Sequence, residues 1–118
     1  MNNAQTGKYA EFLARCYMRL HGYRIVCRNY VSGRGSTAGE IDFIAARKHV
    51  LVFAEVKKRS SLDVAAYAIS PQQRRRICNG AANFLKHHPQ YQGYDIRFDA
   101  ILICQPWSIR HIPNAWTV

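Results

Sequence analysis

The chain reads as an α/β domain in which a mixed β-sheet is flanked by helices, in the order α-β-β-β-α-β with a short further strand after it. Three observations predict this. Helical-period apolar stripes occur in two places, β-favouring apolar runs lie between and after them, and 118 residues with 48% hydrophobic side chains suit one core, so residues 1–118 are taken as one domain. No repeat or low-complexity segment interrupts the pattern.

From Gln5 to Leu20 the residues Tyr9, Phe12, Leu13, Cys16, Tyr17 and Leu20 recur at i, i+3, i+4, i+7, i+8 and i+11, one stripe of an amphipathic helix that Gly22 should end. Tyr23 to Tyr30 reads as a strand, and the loop Ser32-Gly33-Arg34-Gly35-Ser36-Thr37 follows it. Two β-favouring runs, Glu40 to Ala46 and Val50 to Lys57, flank Arg47-Lys48-His49 and predict a hairpin. Ser70-Pro71-Gln72-Gln73 marks the start of the second helix, with Ser70 as cap, Pro71 at the first helical position and Gln73 closing a capping box. Ile77, Ala81, Phe84 and Leu85 keep helical spacing, and Pro89 stops the helix near His88. Ile96 to Cys104 is a strand apolar enough at its end to be interior, and Ser108 to Ile112 is a short last one.

Composition narrows the function. Lys and Arg total 17 against 7 Asp and Glu, a formal charge of +10, which makes a polyanion the natural partner. Unbroken apolar stretches, such as Val50 to Ala54, are no longer than about six residues against the ~20 needed to cross a bilayer, so no spanning segment is expected. The opening Met1 to Gly7 lacks the apolar core of a secretory signal, which places the protein in the cytoplasm. Cys16, Cys27, Cys78 and Cys104 form no C-x-x-C pair and read as reduced core thiols. The loop Gly33 to Gly39 lacks G-K-[ST] and leads into a strand, so it is no phosphate-cradling P-loop.

Three charged residues stand where apolar strands should exclude them: Asp42, Glu55 and Lys57. Strand residues alternate faces, so Glu55 and Lys57 share one side. A two-residue turn at Arg47-Lys48 would set Asp42 opposite Phe53 and diagonal to Glu55, gathering all three on one patch. Two carboxylates at ~6 Å repel by roughly 3 kcal/mol at an effective dielectric of 20, so either Lys57 or a bound cation must offset them. One or two carboxylates with room left for water and phosphate is how Mg²⁺ is held in phosphate chemistry. The bland alternative is a surface ion-pair cluster, against which stand the apolar neighbours Ile44, Leu51 and Phe53 on the same face.

In order along the chain, Gly7-x-x-x-Glu11-x-x-Ala14, Gly39-Glu40-Ile41-Asp42, Glu55-Val56-Lys57-x-Arg59, Ser70-Pro71 with Arg76, and Arg97-Phe98-Asp99 resemble the small bacterial YraN-like family of endonuclease-like proteins, within the PD-(D/E)XK nuclease superfamily. The resemblance covers most of the chain and implies a restriction-endonuclease-like core, a Mg²⁺ or Mn²⁺ site on Asp42 and Glu55, Lys57 as the catalytic lysine, and Glu11 as an extra ligand or ligand-positioning acid. Glu11 could equally be a helix acid paired with Arg15 at i+4. The chain departs from the pattern at Ile41, where many relatives carry proline, and at Gln73, where the resemblance implies lysine. Arg34, Lys58, Arg59, Arg74, Arg75 and Arg76 are the expected phosphate contacts. Tyr30, Trp107 and Trp116 can stack on bases, though aromatics in so small a domain mostly pack. Asp99 reads as a structural partner of Arg97.

Two functions are therefore expected from the sequence: a metal-dependent endonuclease of DNA, including branched or repair intermediates, and a nucleic-acid-binding module that keeps the fold with little or no turnover. A chain this short that cut both strands would work most simply as a two-fold dimer.

Overall fold

The computed structural model of the chain describes residues 3–59, 69–104 and 108–117. Helix α1 (Asn3–Leu20) precedes strands β1 (Arg24–Ser32), β2 (Gly39–Arg47) and β3 (Val50–Arg59), then come helix α2 (Pro71–His87) and strands β4 (Asp95–Cys104) and β5 (Ser108–Trp116). The strands lie side by side in chain order. All neighbours are antiparallel except β3 and β4, which run parallel and so need the crossover that α2 supplies. The order expected from sequence holds, with the last strand reaching Trp116 instead of Ile112.

The sheet divides the core into two layers. Ile44, Leu51, Phe53, Phe98 and Ala100 pack on the α2 side with Ile77, Ala81 and Phe84, while Phe43, Val52, Ile101 and Ile103 pack on the α1 side with Ala10, Ala14 and Met18. Local signals set both helix ends. Gly22, at φ +88°, closes α1 with Tyr23 N–H on the Met18 carbonyl and its own N–H on Arg19, the paired bonds of a Schellman cap. Ser70 Oγ accepts from Gln73 N at 3.1 Å ahead of Pro71, as the capping pattern requires.

Helix α1 meets the sheet on a face rotated from its large apolar stripe: Leu13 and Tyr17 of that stripe pack on this layer, but Tyr9, Phe12 and Leu20 do not. Ala10, Ala14 and Met18 are at most 1% exposed, whereas Phe12 is 47% and Leu20 86% exposed. The sheet already fills this layer with Phe43, Ile101 and Ile103, so the helix comes close at Ala10 and Ala14 and fills the remaining space with Met18.

The hairpin register also differs from expectation. The turn falls at Lys48-His49, with Lys48 at φ +55°, and Arg47 pairs with Val50. Pairing then runs Ala46↔Leu51, Ala45↔Val52, Ile44↔Phe53 and Phe43↔Ala54. Moving the turn by one residue shifts the register by two, so every side chain keeps its face and Asp42 comes opposite Glu55 instead of diagonal to it.

Where α2 crosses β2 the backbones nearly touch. A Cβ on Gly39 would lie 2.4 Å from Gly80 N and 2.5 Å from Gly80 Cα. Backbone cannot turn aside as a side chain can, so Gly39→Ala should lower the free energy of unfolding by about 2–3 kcal/mol, the upper range for overpacking, read as a shifted denaturant midpoint. Gly80→Ala meets Ile41 Cδ1 and Cγ1 at 3.0 Å and the Glu40 backbone N no closer than 3.3 Å, and gains up to ~1 kcal/mol of helix propensity, so it should be far milder. Equal effects of the two substitutions would contradict the backbone contact.

Candidate active site

Strands β2 and β3 part company at Asp42. Their paired residues end at Phe43↔Ala54, and beyond that point Asp42 Oδ2 accepts a hydrogen bond from Val56 N at 2.7 Å, standing in for the strand carbonyl that a continuing ladder would offer. Asp42 is also passed over on the other side, where β1 bends at Asn29 with φ +51°. A polar side chain thus replaces regular pairing, and the sheet opens there.

Burial pushes the Asp42 carboxyl up to about 8, and the Glu55 charge beside it, with a smaller push from Glu11, adds to the effect; the Val56 N–H opposes it. Asp42 and Glu55 stand close enough to share a proton. Lys57 Nζ lies 3.1 Å from Glu55 Oε1, and both side chains are largely covered, at 11% and 15% exposure. One ammonium therefore faces a pair of crowded carboxyls, and the surplus is met by a proton on Asp42. That arrangement is what a divalent cation displaces, since hard oxygen donors with one excess negative charge are its natural ligands.

The opening is a small cavity of about 80 Å³ lined by Glu40, Asp42 and Glu55 from the sheet and by Gln73, Arg76 and Ile77 from α2. That is room for an ion with its water. Among the described residues no three His, Cys, Asp or Glu side chains converge into a ready metal cage. A divalent ion would take two carboxylates and complete its shell with water and phosphate oxygens, the usual habit of Mg²⁺.

Two residues that sequence reasoning had not placed at the centre, Glu40 and Gln73, line this cavity. Glu40 stands two residues before Asp42, but strand parity does not carry across that point, since Ile41 and Ile44 both pack on the α2 side with Phe43 on the other. Its Oε2 accepts from Arg76 Nη2 at 2.6 Å, which closes one side of the opening with an ion pair about half exposed. Glu11 borders the same region from α1. Burial raises its carboxyl, Arg15 opposes that, and Glu55 and Glu40 raise it further. Glu11 therefore feels the carboxylates of the site as well as Arg15.

The expected phosphate contacts divide. Arg74 Nε donates to the Ile69 carbonyl at 3.0 Å and Arg76 is held by Glu40, whereas Arg75 is exposed beside Gln72 and Asn79 in a shallow surface hollow. Lys58 is exposed at the end of β3, Arg59 donates to the Lys58 carbonyl, and Arg34 is exposed where its backbone caps the 3-10 turn at Gly35–Thr37. Of the candidate stacking rings, Tyr30 donates to Asn83 Oδ1 and packs edge-on against Phe84, and Trp116 is buried on Phe98, so both are packing residues. Trp107 lies outside the described residues.

Asp99 belongs to a separate network on the α1 side. It is fully buried, takes both Arg97 Nε and Nη2 at 2.8 Å, accepts from Asn114 N at 3.0 Å, and lies 2.6 Å from His111 Nε2. Burial alone would raise its carboxyl, but these donors together hold it below the usual value. Arg97 also reaches the Tyr23 hydroxyl at 2.6 Å, so the network ties β4 and β5 to the start of β1.

Fold and site together define a strongly basic α/β domain with an enclosed carboxylate and lysine cluster where two strands of a mixed sheet separate. The chain belongs to the UPF0102 family: the model of uncharacterised protein family UPF0102 matches residues 10–103. It is 46% identical over 113 residues to the UPF0102 protein amb4503 of Paramagnetospirillum magneticum, covering 95% of this chain and 87% of that one. A UPF0102 protein of Rhodopseudomonas palustris is 43% identical over 112 residues, covering 95% and 80%, and one of Nitrobacter winogradskyi 42% over 110, covering 93% and 90%. The family level of the resemblance drawn from sequence therefore stands. No helix among the described residues is long and apolar enough to cross a membrane.

Proposed function

We propose that the protein is a Mg²⁺- or Mn²⁺-dependent endonuclease that hydrolyses phosphodiester bonds of DNA in the cytoplasm, in the manner of the PD-(D/E)XK nucleases its motifs resemble. The observation that carries this reading is the crowding of Asp42 and Glu55 beside Lys57, with Asp42 pushed up to about 8 by burial and by its neighbour's charge. A divalent ion held by the two carboxylates would supply Lewis-acid polarisation of the phosphate and a more acidic water. Lys57, already fixed by Glu55, is positioned to orient the attacking water and to stabilise charge gathering on the phosphate oxygens. Glu11 supports the ligand set from the helix side. Exposed Arg75, with Arg34 and Lys58, grips the flanking backbone in keeping with the net charge of +10. Cutting both strands would take two copies related by a two-fold axis.

The test is cleavage of linear, single-stranded, flap and four-way-junction DNA at low salt in Mg²⁺, Mn²⁺ or EDTA. Cutting that needs metal and is lost in Asp42→Asn and Lys57→Ala supports the reading. Tight binding without cutting on any of these overturns it in favour of a binding module, which Gln73 makes the natural rival, since the resemblance implies lysine there. Gln73→Lys places an ammonium on the cavity wall, so it should lower KM for DNA several-fold and steepen the salt dependence of affinity by about 0.9 in log–log slope, the increment for one phosphate contact. An unchanged slope would remove position 73 from the phosphate path.

A further inference from the structure

Helix α1 turns Ala10, Ala14 and Met18 to the sheet, and this orientation exposes one continuous flank. Lys8, Phe12, Arg15 and Arg19 recur there at i, i+4, i+7 and i+11, a single stripe along the helix. Lys8, Phe12 and Arg19 are exposed, and Arg15 is only 8% exposed. Arg28 joins them from β1, because its partner across the ladder is Phe43, which faces the α1 side. Burial disfavours the Arg15 guanidinium charge and Arg28 and Arg19 repel it, while Glu11, with a smaller effect from Cys16, draws it the other way. Four cations around one acid leave an excess of positive charge beside an exposed ring. Tyr9 adds a second ring, its centroid 6.3 Å from that of Phe12 with a 32° tilt. Glu11, beside Lys8 and Arg15 on the helix, feels the charges of Glu55 and Glu40, which relates the stripe to the carboxylates of the site.

We infer that this flank is the track for the unpaired arm of a DNA substrate, with Phe12 stacking on a base, Lys8, Arg19 and Arg28 holding its phosphates, and the buried Arg15 adding positive charge beneath them. Aromatic faces interleaved with cations are how single strands are gripped without sequence preference. Charge selects the occupant: a second copy would set one basic stripe against another, whereas a nucleic-acid strand neutralises it. The inference rests on the endonuclease reading of the cavity and makes its substrate a junction between duplex and single strand.

The experiment measures binding without turnover, by fluorescence anisotropy in EDTA, to a blunt duplex and to the same duplex carrying an oligo-dT tail. The parent should prefer the tailed form. Phe12→Leu, which keeps an apolar side chain but no ring, should weaken tailed binding about five- to twentyfold and leave blunt binding unchanged, while Phe12→Trp should retain it. Lys8→Gln with Arg19→Gln should reduce the tailed-DNA salt slope by about 1.4, or ~0.7 per single-strand contact. All are exposed positions, and an unaltered melting temperature confirms folding. A parent without tail preference, a Phe12→Leu variant that keeps it, or a dimer in sedimentation that Phe12→Leu dissolves while tailed binding persists, would overturn the track. If the variants behave as expected but no DNA is cut with metal, the track stands and the hydrolytic reading fails. If DNA is cut and the variants bind like the parent, the reverse holds.

Discussion

Asp42→Asn is expected to abolish metal-dependent cutting and, in EDTA, to make the protein more stable at alkaline pH. Loss of a carboxylate ligand should cost at least ~10³ in kcat/KM, about 4 kcal/mol of transition-state stabilisation at 1.36 kcal/mol per decade. The stability effect follows from linkage. The folded Asp42 carboxyl titrates near 8 against an ordinary 3.8, so between those values the native state binds the extra proton. Stability of the metal-free parent then falls as pH rises through that window, by at most ~1.4 kcal/mol per pH unit. Asparagine is neutral throughout and can still accept from Val56 N, so the variant should lack this decline. Added Mg²⁺ or Mn²⁺ replaces the proton, and should raise the parent's Tm more at pH 8 than at pH 5.5 while leaving the variant's unchanged. Calorimetry across pH with and without metal checks each part. A parent whose EDTA stability does not fall between pH 5 and 8 would show that the two carboxyls are not crowded.

Asp99→Asn should be the most damaging single substitution away from the cavity. Its carboxylate is the common acceptor for Arg97, His111 and the Asn114 amide at zero exposure. The amide cannot serve all of them, and the Arg97 charge, already part-buried on Tyr23, loses its counter-charge; breaking such a pair costs about 3–5 kcal/mol. The folded carboxyl lies below its ordinary 3.8, so here the unfolded state binds more protons. This contribution is complete above that value and is lost as pH falls through the folded value, giving an acid limb that Asp99→Asn should remove. A denaturant midpoint shift equivalent to less than ~1 kcal/mol would show that the network is dispensable. Cutting by whatever fraction remains folded should be normal, because the network lies on the other side of the sheet from the cavity.

Element order was readable because its signals are local. Ser70-Pro71 marks a helix start whatever surrounds it, Gly22 supplies the left-handed conformation that ends α1, and alternation in Val50 to Lys57 assigns faces by backbone geometry. The carboxylate pair was readable for the same reason: Asp42 and Glu55 are charges inside apolar strands, and parity places them together even under the wrong register. The register itself was not readable, since Arg47-Lys48 and Lys48-His49 are equally plausible turns and only the side chains stacked across the whole hairpin choose between them. Nor was the helix face. Counting large apolar residues on α1 selected Tyr9 and Phe12, yet whether a helix buries its bulky or its small side chains depends on how much volume the opposing sheet has already filled.

By itself, then, the amino-acid order determined the succession of helices and strands, the basic character of the surface, and which acidic and basic side chains share a strand face, all consequences of backbone periodicity and of the cost of isolating charge in an apolar run. Only the tertiary arrangement decided that β2 and β3 separate at Asp42, that Glu40, Gln73 and Arg76 complete the cavity, and that Lys8, Phe12 and Arg19 face outward. Those outcomes come from contacts between segments distant in the chain, such as Gly39 against Gly80, and no local preference encodes them.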